Sequence, residues 1–151
     1  MAGAHLAYVN LFARDIEVLM RFYAGLFGFA EMTAFRSPIY RCLDAGGIEL
    51  GFNAAEAYRL LDLDSRRPAG DATDMPVGCY FTVELESTAA VDQAAIECRR
   101  LGGGVIKLPY RTYYNAWQTV LTDPEGNVFR ANHRIGPRKP FADLPADQRP
   151  L

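Results

Sequence analysis

The sequence predicts an α+β protein built from two β-α-β-β-β modules. Three observations carry that prediction. One pattern of strand, capped amphipathic helix, glycine stop and three short strands is written twice; a breaker-rich stretch separates the copies; and half of the 151 residues are apolar, enough for a real core. The modules read as 1–53 and 77–133, with a linker over 54–76 and a proline-rich tail over 134–151, all in one compact domain.

The first copy opens on Leu6–Phe12, rich in strand formers, and Asp15 follows as an N-cap with Glu17 in the first turn. Leu19, Phe22, Tyr23 and Leu26 fall at i, i+3, i+4 and i+7, one apolar helical stripe that Gly28 ends in the left-handed conformation. Strands are expected over Phe29–Phe35, Ile39–Leu43 and Ile48–Phe52, broken by Ser37-Pro38 and by Gly46-Gly47. A short helix is expected over Ala54–Leu61, and Asp62 to Pro76 is polar, charged linker.

The second copy opens on Val77–Leu85, and Ser87 or Thr88 caps a helix whose stripe is Val91, Ala94, Ala95 and Cys98. Gly102-Gly-Gly104 stops it, and because that run follows a helix instead of opening one it is not a phosphate cradle. Strands are expected over Val105–Leu108, Trp117–Thr122 and Asn127–Asn132. The last two are joined by Asp123-Pro-Glu-Gly126, with Asp, Pro and Gly at the positions a type I turn prefers. Four prolines in the last fifteen residues prevent the tail from continuing a sheet or helix, so it wraps the surface or stays disordered.

A formal charge of −2 gives no field that favours nucleic acid or an anionic membrane, and no apolar run approaches a membrane span. Fourteen arginines against two lysines (Lys107 and Lys139) fit either guanidinium forks at functional sites or a GC-rich genome. Cys42, Cys79 and Cys98 are an odd number without close spacing, so neither a disulfide framework nor a zinc knuckle is indicated. With no basic stretch at the N-terminus, the expectation is a soluble, unprocessed protein of the reducing cytoplasm. No Walker A, dinucleotide glycine fingerprint or HExxH occurs.

Asp15-Ile-Glu-Val-Leu-Met-Arg-Phe-Tyr23 ahead of Leu26-Phe-Gly-Phe29 resembles the first helix of the vicinal oxygen chelate superfamily, which holds glyoxalase I, extradiol dioxygenases and bleomycin-resistance proteins. Asp123-Pro-Glu-Gly-Asn-Val-Phe129 resembles its last hairpin, and the likeness spans about residues 5 to 133. The resemblance implies curved mixed sheets enclosing a cleft, with a divalent metal commonly held by one residue from each of four strands. Counted from the matched motifs, those positions are Tyr8, Glu49, Cys79 and Arg130. Metal-using members carry His, Gln or Glu there, and only Glu49 fits. Arginine has no lone pair and a permanent charge, and Tyr8 and Cys79 bind metal well only when deprotonated. No metal or other cofactor is therefore expected, a divalent metal being the alternative.

Two readings of Arg130 stay open: it pairs with Glu49 and plugs a retired metal site, or it binds a ligand's anionic or carbonyl oxygen and leaves Glu49 as a base. His5 and His133 each lie three residues from a corner, on the opposite strand face. Cys79 reads better as a small buried residue than as a nucleophile. Tyr110, Tyr113, Tyr114 and Trp117 form an aromatic cluster whose matching loop, in related proteins, borders the cleft; Asn115 and Gln118 lie beside them, and the rings suit a flat small molecule, a subunit interface or the end of the core. The resulting expectation is a cytoplasmic homodimer that binds a small organic molecule without metal. A metal-dependent lyase or dioxygenase with an unusual site is the alternative, and neither nucleic acid nor membrane is a partner.

Overall fold

The computed structural model describes residues 3–70 and 76–149; linker positions 71–75, the last two tail residues and the first two of the chain lie outside them. The chain divides into two units, 1–75 and 76–151. The first holds β1 (Tyr8–Phe12), α1 (Ile16–Phe27), β2 (Ala30–Glu31), β3 (Tyr40–Asp44), β4 (Glu49–Asn53) and α2 (Glu56–Leu60). Its sheet runs β1-β4-β3-β2, with β1 parallel to β4 and the other pairs antiparallel. The second holds β5 (Phe81–Glu84), α3 (Thr88–Arg100), β6 (Gly104–Arg111), β7 (Ala116–Thr122) and β8 (Val128–Arg134), in the matching order β5-β8-β7-β6. The β-α-β-β-β repeat is thus present in both units.

Local chemistry sets the helix ends. The Asp15 carboxylate accepts from the amides of Glu17 and Val18, and Gly28 closes α1 at φ 71. The Ser87 hydroxyl accepts from Ala90 N–H at the start of α3. In the first unit Leu19, Phe22 and Tyr23 of α1 cover Leu43, Leu50 and Phe52, with Tyr23 stacked on Phe52 at 5.7 Å. In the second the stripe Val91, Ala94, Ala95 and Cys98 is wholly buried against β7 and β8, where Leu121, Phe129 and Ala131 have no exposed surface. Each sheet therefore turns one face to its own long helix, and strand alternation puts every second side chain on the helix-free face.

Two strands are shorter than expected. Of Phe29–Phe35 only Ala30–Glu31 pairs with β3; Thr33–Phe35 then turns as a 3₁₀ helix, closed by Phe35 N–H to the Met32 carbonyl and an Arg36 fork on Glu31 at 2.7 and 2.6 Å. β5 begins only at Phe81, because its parallel neighbour β8 begins at Val128 and the preceding residues belong to the 123–127 turn. Gly126 N–H donates to the Asp123 carbonyl at 3.0 Å in that turn, as the motif predicts.

Of the two alternatives for the tail, its described part is ordered on the second unit. Pro140 and Pro145 each start a single 3₁₀ turn, Phe141–Asp143 and Ala146–Gln148. Leu144 between them is buried, and the Arg149 guanidinium donates to the carbonyls of Leu144 and Ala142.

Candidate functional site

On the helix-free face of the first sheet, register aligns Tyr8 with Glu49 and Asn10 with Gly51 across β1 and β4, and Cys42 with Gly51 across β3 and β4. Tyr40, on the same face, donates its phenol proton to Glu49 Oε1 at 2.5 Å and lies 3.4 Å from Asn10 Oδ1. Gly51 makes this possible: a Cβ there would sit 2.2 Å from Asn10 Oδ1 and 2.3 Å from the Tyr40 hydroxyl. Burial, then the hydrogen bond to the Glu49 carboxylate, holds the Tyr40 phenol well above its ordinary range. Burial, then the thiol's hydrogen bond toward Glu49, pushes Cys42 up to about 11, so the thiol is neutral at physiological pH. Glu49 is therefore an acceptor engaged by neutral donors, and Tyr8 beside it is 58% exposed.

The helix-free face of the second sheet carries a directed hydrogen-bond chain. Arg130 donates from Nε to Thr82 Oγ1 at 2.9 Å and from Nη1 to the Tyr114 hydroxyl at 3.4 Å, and its guanidinium lies 4.8 Å from the Tyr80 ring centre. Tyr114 donates to Gln118 Oε1, and Gln118 Nε2 donates to the Tyr110 hydroxyl at 2.7 Å. Register puts Arg130 opposite Thr82 and Asn132 opposite Glu84 and Gln118. Asn132 Nδ2 donates to Glu84 Oε2 at 2.6 Å, which fixes the amide's orientation, since a carboxylate only accepts. The other end of that amide, Asn132 Oδ1, is buried without a hydrogen-bond partner. A buried acceptor left unpaired costs about 1–3 kcal/mol, so it marks a place where a donor is wanted.

The sequence-predicted residues divide as follows. Tyr8 and Glu49 stand together in the first unit; Arg130 and Tyr114 stand together in the second. Tyr113 packs edge-on against Tyr114 at 5.1 Å and is 47% exposed. Cys79 is exposed and precedes β5, which corrects the expectation of a small buried strand residue. Trp117 is separated from Tyr114: register places it opposite His133, on the helix-side face, and its indole N–H donates to Asp92 of α3 at 2.7 Å. His133 lies on that face too, with Nδ1 2.8 Å from the Leu85 carbonyl, and His5 is exposed. Tyr40, Thr82, Glu84 and Asn132 were not singled out from sequence; the signal for the last was its alternation with Arg130 on β8.

Donor chemistry tests the metal that the fold implies. Arg130 offers only N–H donors, Glu49 is a single carboxylate with one oxygen held by Tyr40, and no group of three or more His, Cys, Asp or Glu among the described residues is placed to hold a metal ion. These residues do not fit a divalent cation.

Two units of identical β-α-β-β-β topology, each with a polar helix-free sheet face, define a paired-module α+β protein. The profile of the Glyoxalase/Bleomycin resistance protein/Dioxygenase superfamily matches residues 5–131, and the chain belongs to that superfamily. It is similar to a glyoxalase/bleomycin resistance protein/dioxygenase family enzyme from Burkholderia phytofirmans PsJN, with 42% identity over 86% of this chain and 98% of that one, at TM-score 0.79. A hypothetical protein from S. aureus shares the fold at 19% identity and TM-score 0.68, covering 88% of this chain and 94% of that one. A lactoylglutathione lyase from Agrobacterium tumefaciens shares it at 17% identity and TM-score 0.62, covering 86% and 93%. No curated protein matches the sequence. Among the described residues no helix is long and apolar enough to cross a membrane.

Proposed function

We propose that this protein binds a small polar organic molecule, without a metal, on the helix-free face of its second sheet, in the manner of a sequestering or resistance protein. The observation that carries the reading is the unpaired, buried Asn132 Oδ1 on the same strand face as the Arg130 guanidinium. A ligand that offers an anionic or carbonyl oxygen to Arg130 and, once the side chains over it move aside, an N–H or O–H to the buried Asn132 Oδ1 satisfies both at once. Tyr80 and Tyr114 add apolar surface with polar tips, which suits a flat body. Glu49 remains a candidate base in the first unit, where Tyr40 holds one carboxylate oxygen, Oε1, and the other would accept a substrate proton.

The test is an NMR fragment screen of small carboxylates and amides that follows the Asn132 side-chain amide and the Arg130 Nε–H. Hits are expected to move both signals, and Arg130→Gln to weaken them by roughly tenfold or more, the loss of one charge-assisted contact. Hits that bind while both signals stay still would overturn the assignment.

A further inference from the structure

The described tail and the 111–115 loop enclose a groove of about 620 Å³ within the second unit, and a second cavity of about 320 Å³ adjoins it. The larger volume lies in the range of small-molecule sites. Both share Tyr113, Lys139 and Leu144; Arg111 lines the first and Arg138 the second, and among the described residues that line them there is no Asp or Glu. Three cations make this a positive, partly apolar recess on a chain whose formal charge is −2.

The recess is also preorganised. Asn115 takes the left-handed conformation at φ 68, and its Oδ1 accepts from Arg111 Nη2 at 2.8 Å, which orients the guanidinium and leaves its other N–H groups available. Gly136 leaves room for that amide, since a Cβ there would come within 2.8 Å of Asn115 Nδ2. Thr112 N–H and Oγ1 both engage Ala116, and Ile135 N–H donates to the Asn115 carbonyl at 3.0 Å, so the loop is bonded on either side. Buried Leu144 forms the opposite wall and anchors the tail.

We propose that this groove is a second binding site, for a small organic anion with a flat apolar body, in which Arg111 and Lys139 take the anionic group and Tyr113 and Leu144 the body. Of the described residues that line it, Lys139, Leu144 and Gln148 lie beyond the 5–131 superfamily match, and it is independent of the Arg130 reading.

The probe is 8-anilinonaphthalene-1-sulfonate, an aromatic sulfonate, with neutral N-phenyl-1-naphthylamine as its uncharged counterpart. The folded protein should enhance the sulfonate's fluorescence, shift the Leu144 methyl signals, and lose roughly tenfold or more of its affinity in Arg111→Gln/Lys139→Gln, with affinity for the neutral probe changing less than about twofold. Lys139→Gln alone, at an exposed position, should give part of that loss with unchanged circular dichroism, which separates lost charge from lost folding. Arg130→Gln should leave the sulfonate affinity read from the Leu144 methyl shifts unchanged, even where it removes sulfonate held on the sheet face, so that failure of this site and failure of the sheet-face site are read separately. Equal sulfonate affinity in wild type and both charge variants, methyl shifts confined elsewhere, or no enhancement at millimolar probe would each overturn the proposal.

Discussion

Replacing Gly51 by alanine tests the Tyr40–Glu49 arrangement most severely. The new methyl would lie 2.2 Å from Asn10 Oδ1, 2.3 Å from the Tyr40 hydroxyl and 2.8 Å from Tyr40 Cε2, all inside contact distance. Overpacking of this kind costs about 1–3 kcal/mol. Pushing Tyr40 aside also forfeits a charge-assisted bond, about 1.5 kcal/mol at the low end for a half-buried carboxylate. Against this, alanine gains about 0.5–1 kcal/mol over glycine in strand backbone entropy. The net is a loss of about 1.5–4 kcal/mol, or a fall in melting temperature of roughly 3–16 °C for a chain of this size. Differential scanning calorimetry of Gly51→Ala reads it directly. In a background carrying Asn10→Ala and Tyr40→Ala the obstacle is gone, and the same substitution should become neutral or stabilising by about 0.5 kcal/mol. An unchanged melting temperature in the wild-type background, or an equal loss in both, would refute the packing argument.

Four further outcomes are expected. Buried Cys42 and Cys98, both held near 11, should resist Ellman's reagent at pH 8 until the protein unfolds, while exposed Cys79 reacts at once. Because both thiols titrate higher in the folded state, their contribution to stability is intact below pH 9 and is lost as pH rises from 9 toward 11, so the melting temperature should fall across that window. Asp123→Ala removes the acceptor for Glu125 N–H, Asn127 N–H and Asn127 Nδ2 in a buried turn, and should cost about 2–4 kcal/mol in chemical denaturation. Trp117→Phe loses the Asp92 bond and should lower stability by about 1–2 kcal/mol while leaving affinity at the Arg130 face unchanged; a large affinity loss there would mean that Trp117 reaches the ligand.

The repeat was legible because its signals are local. Asp15, Gly28 and Ser87 act within one helical turn of themselves, and the apolar stripes of α1 and α3 are set by periodicity alone. Strand ends were less legible, since they depend on where the neighbour stops: Phe29–Phe35 carries strand formers throughout, yet β3 offers β2 only two ladder positions. The site shows the same division. Arg130 and Glu49 follow from counting along matched motifs, whereas Trp117 and Gln118 are adjacent in sequence and on opposite faces, a distinction fixed only by the register of β7 on β8. The Tyr40 bond to Glu49 joins residues nine apart through a glycine whose role is the space it leaves.

Metal-free binding on the Arg130 and Asn132 face is tested most directly by one calorimetric titration carried out twice. A carboxylate fragment that moves the Asn132 amide is titrated into protein dialysed against chelator, then into the same protein with added manganese, nickel or iron(II). The donor set predicts Kd values within about twofold of each other, because a guanidinium contact needs no cation. Binding that appears only with a divalent ion, and that disappears in Glu49→Ala, would contradict it.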